Sequence, residues 1–301
     1  MFHHFHNETH LPAQGSICKN NFRQLLLWLK KEYSLIDASE FENKFYSGNL
    51  SDFDVCLSFD DALKCQYDVA IPILEEFKIN AYFFIYSSIF SNCPNLLEVF
   101  RLFRTSHFES IDSFYSLFFK IIRDIDKFKY LNEYNSFGDK EYLSEYPFYS
   151  YNDKWFRYLR DQYLDSYQYA EIMKTMMSDL NFNLDAAKRN LWMSKEEVKD
   201  IDSKGHIIGL HSYSHPTKIS KLNVGQQKKE YLQNYQDLSK IINKPIKVMS
   251  HPCGDYNEET LNILKDMGIL IGFRSSMSIP KIKSSLEIPR EDHSNVMREM
   301  I

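Results

Sequence analysis

Cysteine is scarce in this chain: five residues, at positions 18, 56, 65, 93 and 253, with no C-x-x-C pair among them. That scatter excludes a thiolate zinc site and a disulfide framework, and it fits reduced thiols. Positive charge is short as well. The 36 Lys and Arg against 41 Asp and Glu give a net charge of −5 and a pI near 6.1. With no basic excess to neutralise phosphates, a nucleic-acid polymer is not an expected partner. Long apolar runs are also missing. The longest, 81–86 and 267–273, fall far short of the roughly 20 residues that span a bilayer, so no transmembrane segment is expected. The opening MFHHFHNETH has neither a cationic start nor an apolar stretch, which leaves no signal peptide and an expected cytoplasmic location. Repeats and low-complexity linkers are absent.

What is present is an ordinary globular balance, 44% hydrophobic and 26% charged over 301 residues. Apolar residues at helical spacing predict helices at 22–33, 64–78, 194–204, 224–242 and 257–267. Short apolar or aromatic runs predict strands at 1–5, 54–59, 80–86, 206–210, 246–250 and 269–273. Strands separated by single helices pair in parallel and, repeated, close into a barrel. The middle of the chain differs. Residues 91–190 hold 23 of the 46 aromatics, with helical patterns at about 110–130 and 153–178. The expected architecture is therefore a distorted (β/α) barrel built from 1–90 and 191–301, with an inserted α-helical subdomain at 91–190. The insert's aromatics serve either its own core or a wall for substrate, since aromatic faces stack on sugars and bases.

Chemistry concentrates at strand ends. Ser58-Phe59-Asp60-Asp61 closes a buried strand, and two adjacent carboxylates are costly to desolvate without a cation or hydrogen bonds. The plain alternative is that one aspartate caps a helix starting near Leu63. Gly209-Leu210-His211-Ser212-Tyr213-Ser214-His215-Pro216 follows a second apolar strand. Its two histidines, four apart, reach one side of a helical turn or tight loop. Two imidazoles and a carboxylate with open positions form a catalytic set for a divalent ion.

These motifs resemble the polysaccharide deacetylases, the carbohydrate esterase family four enzymes acting on chitooligosaccharides and similar substrates. Ser58-Phe59-Asp60-Asp61-Ala62 is similar to the family's T-F-D-D-G, and His211 to His215 matches H-[ST]-x-x-H in full. The lead-in from Leu191 through Leu210 and the opening Met1-Phe2-His3-His4 look like family features too. The resemblance covers about 1–90 and 190–293. It implies Asp61, His211 and His215 as ligands of a divalent metal ion, zinc being the first choice. It implies Asp60 as the general base that takes a proton from the metal-activated water attacking the amide. A backbone N–H near Gly254 would help stabilise the oxyanion.

Departures from the pattern are equally informative. The family's R-x-P-Y-G becomes Ser250-His251-Pro252-Cys253-Gly254, so the arginine that steadies the base is missing. His251 is a candidate to take over orientation or to line the rim, and Arg290 a candidate to replace the arginine from the opposite side. No D-W motif is visible. His293 is the candidate general acid, and one of His3 and His4 is expected to point from the first strand into the pocket while the other faces outward. His3, His251, Gly254 and Arg290 are grouped as substrate-binding candidates.

The implied activity is removal of an acetyl or formyl group from an amino-sugar nitrogen. A cytoplasmic location favours a nucleotide- or lipid-linked intermediate of surface-polysaccharide synthesis as the substrate. Two alternatives stay open: an inactive sugar-binding barrel, or an O-deacetylase or amidase on the same scaffold.

Overall fold

Short, wholly buried apolar strands want a parallel sheet covered on both faces, and that is how the barrel begins. A computed structural model describes residues 1–91, 94–138, 141–144, 149–277 and 282–300. In chain order its elements are β1 Phe5–His6, β2 Ile17–Cys18, α1 Lys19–Glu32, β3 Ser34–Leu35, α2 Ala38–Ser47, β4 Asp54–Val55, β5 Ser58–Asp60, α3 Ile71–Phe77 and β6 Tyr82–Ile85. Six helices follow: α4 Leu97–Ser106, α5 Ile111–Ile125, α6 Lys127–Phe137, α7 Tyr151–Tyr158, α8 Ser166–Asp179 and α9 Leu184–Leu191. The alternation then resumes with α10 Lys195–Ser203, β7 Ile207–Leu210, α11 Val224–Ile242, β8 Val248–Ser250, α12 Glu258–Asp266, β9 Ile271–Phe273 and α13 His293–Glu299. The chain divides into two compact units, Met1–Asn95 with Asn190–Ile301, and Leu96–Arg189.

In the first unit β5 to β9 pair side by side, in sequence order and all in parallel. The ladder continues past both edges through single bridges. Phe2 pairs with Phe59 at one edge, and Ile288 pairs with Phe273 at the other. Between them, the Met1 nitrogen donates to Glu291 O at 2.6 Å and His293 N donates to Met1 O at 3.1 Å. The sheet thus curls into a distorted (β/α) barrel, with residues 288–293 lying between β9 and the start of the chain. Tyr82, Phe84, Val248 and Phe273 pack together on the face that carries Asp60, while Phe59 and Phe83 stack at 4.6 Å on the opposite face, with Phe2, Phe5 and Phe22 packed against Phe59.

Several expected elements come out shorter or divided. The strand expected at 54–59 splits, because β4 pairs with β3 while β5 pairs with β6. The strand expected at 1–5 reduces to the Phe2 bridge, and β1 pairs with β2 beyond it. The helix expected over 64–78 opens with a π-helical turn, Gln66–Ala70, before Pro72 in the first turn of α3. Proline has no N–H to donate backward, so a wider turn ahead of it costs little.

In the second unit Asp126 divides what periodicity suggests is one helix, ending α5 and capping α6 through a bond from Lys129 N to its carboxylate. The aromatics form that unit's own core: Phe114, Phe118, Trp155 and Phe156 are fully buried. The Arg104 guanidinium lies over the Phe156 ring at 4.7 Å.

His206, just before β7, is buried and its Nδ1 accepts from Ala81 N at 3.0 Å. Burial pulls its pKa from 6.5 down to about 4. A histidine lowered in the fold binds fewer protons folded than unfolded between those values. Its contribution to stability is complete above pH 6.5 and is lost as pH falls toward 4, on the order of 3 kcal/mol. His206→Gln, whose amide oxygen can accept the same bond, should lose less stability than the parent between pH 7 and 4.5 by urea unfolding. Equal losses would refute this account of His206.

Candidate metal centre

The barrel register sets the site. Asp60 on β5 pairs with Phe84 on β6, and Ile85 pairs with Leu210 on β7, so the ends of β5 and β7 meet at one rim. Past that rim the backbone turns sharply. Asp61 and Ala62 hold φ of 76° and 51°, and Asp61 N is tied to Phe84 O at 3.0 Å. Left-handed backbone costs a non-glycine residue roughly 1–2 kcal/mol. Here it lets consecutive carboxylates approach the same histidine: His211 Nε2 is 3.5 Å from Asp61 Oδ1 and 4.0 Å from Asp60 Oδ2. The following helical turn has Cys65 as its N-cap with no side-chain cap bond, and the Asp60 carboxylate goes to Arg290.

The histidine loop is a tight turn, not a helix. Ser212 and His215 have φ of 61° and 54°, and His215 N donates to Ser212 Oγ at 3.1 Å. Two side chains of α11 fasten it. Asn234, fully buried, accepts from His211 N at 2.9 Å and donates to Ile85 O at 3.0 Å, joining two strand ends. Glu230 accepts from both Ser214 N and Ser214 Oγ at 2.7 Å. Neither residue belongs to a recognisable motif. The only cue was a polar side chain on the apolar face of an amphipathic helix, beside Tyr231 and Leu238.

One donor atom from each of Asp61, His211 and His215 lies within 4.8 Å of the others, and all three residues are buried. His215 Nε2 is 3.4 Å from Asp61 Oδ1. The set also fits a cation by its protonation state. Burial, with His215 adding to it, pulls the His211 pKa down to about 3 against the pull of Asp60, so this imidazole is neutral at ordinary pH. Its Nδ1 lies 2.8 Å from Ser250 O, which can only accept, so Nδ1 carries the proton and Nε2 offers a lone pair toward Asp61. A carboxylate oxygen and imidazole nitrogens so disposed suit a divalent ion.

Asp60 is held from the opposite side. Arg290 Nη1 and Nη2 reach its two oxygens at 2.8 and 2.7 Å. The remaining donors of that guanidinium go to Ser58 Oγ, Ser250 Oγ and Arg274 O. Burial pushes the Asp60 carboxyl up, but Arg290, helped by His211 and His3, outweighs it and holds the group well below the usual carboxylate range. Arg290 itself is buried and fully engaged, so in this structure it meets Asp60, not a substrate.

The other sequence candidates fall in different places. His3 stays near the centre, its Nε2 3.9 Å from Asp60 Oδ2 and its side chain 31% exposed. His251 has no exposed surface; its Nε2 lies 2.8 Å from Leu286 O and its ring stacks on Tyr256 at 4.3 Å. It therefore helps seat the 284–288 segment and leaves no face for a substrate. The Gly254 N–H donates to His251 O at 3.0 Å within its own turn, so it is not free for an oxyanion. A Cβ there would strike Ser275 Oγ, and φ is +66°, so glycine is required by the turn itself. His293 is buried, with its ring on Phe2 at 5.2 Å and its Nδ1 3.6 Å from Asp292 Oδ1. Burial pulls it down to about 4, leaving it neutral near pH 7.

The family model described as polysaccharide deacetylase matches residues 168–272, which include His211 and His215 but not Asp60, Asp61 or Arg290. No curated protein matches the chain in sequence. Solved structures do match in fold. The Streptococcus pyogenes deacetylase PplD in complex with acetate is 15% identical, with a TM-score of 0.57, covering 100% of this chain and 96% of the other. A de-N-acetylase from Aggregatibacter actinomycetemcomitans is 16% identical at 0.56, covering 97% and 92%. IcaB from Ammonifex degensii is 13% identical at 0.54, covering 96% and 90%. The resemblance to polysaccharide deacetylases drawn from the motifs is thereby borne out, as a divergent one, and the barrel is of their type.

Proposed function

We propose that this chain is a divalent-metal-dependent hydrolase that removes an acetyl or formyl group from the nitrogen of an amino sugar. One observation carries the reading: the buried Asp61, His211 and His215 cluster stands beside a carboxylate, Asp60, that an arginine keeps ionised. The similar structures described as a deacetylase with acetate and as a de-N-acetylase support acetyl as the first acyl group to test. Zinc is the first ion to test, given two imidazoles and one carboxylate.

When bound, the cation supplies a Lewis acid that polarises an acyl carbonyl and makes a neighbouring water more acidic. Asp61, His211 and His215 hold it, and the Nδ1–H bond to Ser250 O keeps His211 in the ligating tautomer. Asp60 accepts the proton of the attacking water at Oδ2, the oxygen that faces His211 and His3. A carboxylate clamped by a guanidinium is a weak base that stays ionised at any physiological pH. The arrangement gives up basicity for orientation and leaves the cation to make up the acidity. His3, half-open beside Asp60, is placed to meet the amide or sugar.

The inactive-barrel alternative rests on the degraded third motif and the missing D-W motif; Arg290 on Asp60 answers the first of these, and acetate release tests the rest. The substrate class to test first is a nucleotide- or lipid-linked amino sugar. Acetate and formate release should be assayed on UDP- and polyprenyl-linked N-acyl amino sugars beside O-acetylated and non-sugar amide controls. Release confined to the O-acetyl or non-sugar compounds would replace this reading with the O-deacetylase or amidase.

A further inference from the structure

At the corner between α5 and α6, Asp126 spends its carboxylate on capping α6, accepting from Lys129 N at 2.9 Å. The corner turns large apolar side chains outward. Phe128 is 78% exposed and Ile125 67%, values far from the burial such residues usually reach. Leu131 and Tyr134 continue the stripe along α6 at intervals of three, and the exposed Tyr151 meets Tyr134 edge-on at 6.1 Å. The other face of the same two helices is already packed, with Phe114, Phe118, Ile122, Tyr130 and Phe137 buried. The stripe is therefore surplus to the unit's own core.

Its surroundings select the occupant. Lys127 and Lys129 flank Phe128 in sequence, and exposed Lys120 and Arg123 lie on the last turns of α5. Lys120 and Lys127 make no ion pair among the described residues. The nearby acids are engaged: Asp126 in its cap, Glu133 by Tyr158 OH at 2.7 Å, and Asp124 by Arg123 at 3.9 Å. Protruding apolar rings bracketed by long cationic side chains, with tyrosines at the margin, match the boundary between anionic headgroups and acyl chains.

We propose that the corner from Lys120 to Tyr134 docks on an anionic lipid surface. Ile125 and Phe128 enter the acyl boundary, and Lys120, Lys127 and Lys129 meet lipid phosphates. This is independent of the hydrolase reading, since it uses none of that site's residues.

Flotation of the full chain with vesicles tests it. The chain should float with phosphatidylcholine vesicles containing about one third phosphatidylglycerol, and raised salt should release it. Phe128→Ser should weaken binding at least roughly tenfold, and Lys127→Ser roughly fivefold. Both side chains are exposed, so unfolding midpoints should match the parent. Phe128→Trp should keep binding and give a blue-shifted emission with anionic vesicles. Equal flotation with and without phosphatidylglycerol, or unchanged flotation of Phe128→Ser, would overturn the proposal. So would a concentration-dependent dimer that Phe128→Ser abolishes, which would give the stripe to a second copy. Acetate release from a soluble amino sugar should be unaffected by Phe128→Ser, so each reading can fail alone.

Discussion

Replacing Arg290 by Met should cost the fold roughly 3–5 kcal/mol at neutral pH and remove most of the hydrolase activity. The reason lies in what the substitution leaves behind. Asp60 is 2% exposed, and Arg290 supplies a two-pronged pairing that offsets its burial. Without that partner burial raises the carboxyl, and Asp60 either takes up a proton or stays charged at a large cost. Either outcome spoils a base whose value lies in being ionised and held in place. The turnover number should fall about 10²- to 10³-fold, with a much smaller change in KM. Arg290→Lys, keeping one charge without the fork, should fall between. Pairing Arg290→Met with Asp60→Asn separates the two effects, because no buried charge is left unpaired. That double variant should recover most of the stability in urea unfolding and none of the activity. A double variant no more stable than Arg290→Met alone would show that the arginine acts through something other than Asp60.

Asp61→Ala should abolish stoichiometric cation binding. It removes one of the three ligands of the proposed site, so affinity should fall by more than the 10–100-fold typical of losing an outer-shell partner. Elemental analysis of the purified chains should find about one divalent ion in the parent and almost none in the variant. A second readout needs no substrate. A cation at 100 times its Kd adds about 2.7 kcal/mol to stability, so a chelator should lower the parent's unfolding midpoint and leave the variant's unmoved. Asn234→Ala should retain all three ligands yet bind the ion more weakly, because His211 N and Ile85 O lose their common anchor.

The parts of this site that were legible in the sequence are local. A short apolar strand announced Asp60 and Asp61, and a second announced His211 and His215, because burial and carboxylate chemistry conflict within a few residues. Helix α11 runs over the span its periodicity gave, closed in front by the Asn223 capping box and behind by Asn243 with φ of 53°. What was not legible depends on distant partners. Arg290 meets Asp60 across 230 residues; the sequence offers it only as a candidate, and the barrel closure through 288–293 brings the two together. His251 read as an orienting or a rim residue because its sequence neighbours are motif residues, whereas Leu286 and Tyr256 draw it into the core. The 1–5 and 54–59 strands came out too long because β-pairing is decided by which neighbour lies alongside, and those segments change neighbours midway.

The account's central claim is tested most directly by measuring acetate released from an N-acetylated amino sugar by the zinc-loaded chain, beside zinc-loaded Asp60→Asn. Release by the parent, falling at least about 100-fold in Asp60→Asn while bound zinc stays stoichiometric, is the predicted result. Release that is unchanged in Asp60→Asn, or absent from the zinc-loaded parent on every N-acyl amino sugar tried, would contradict it.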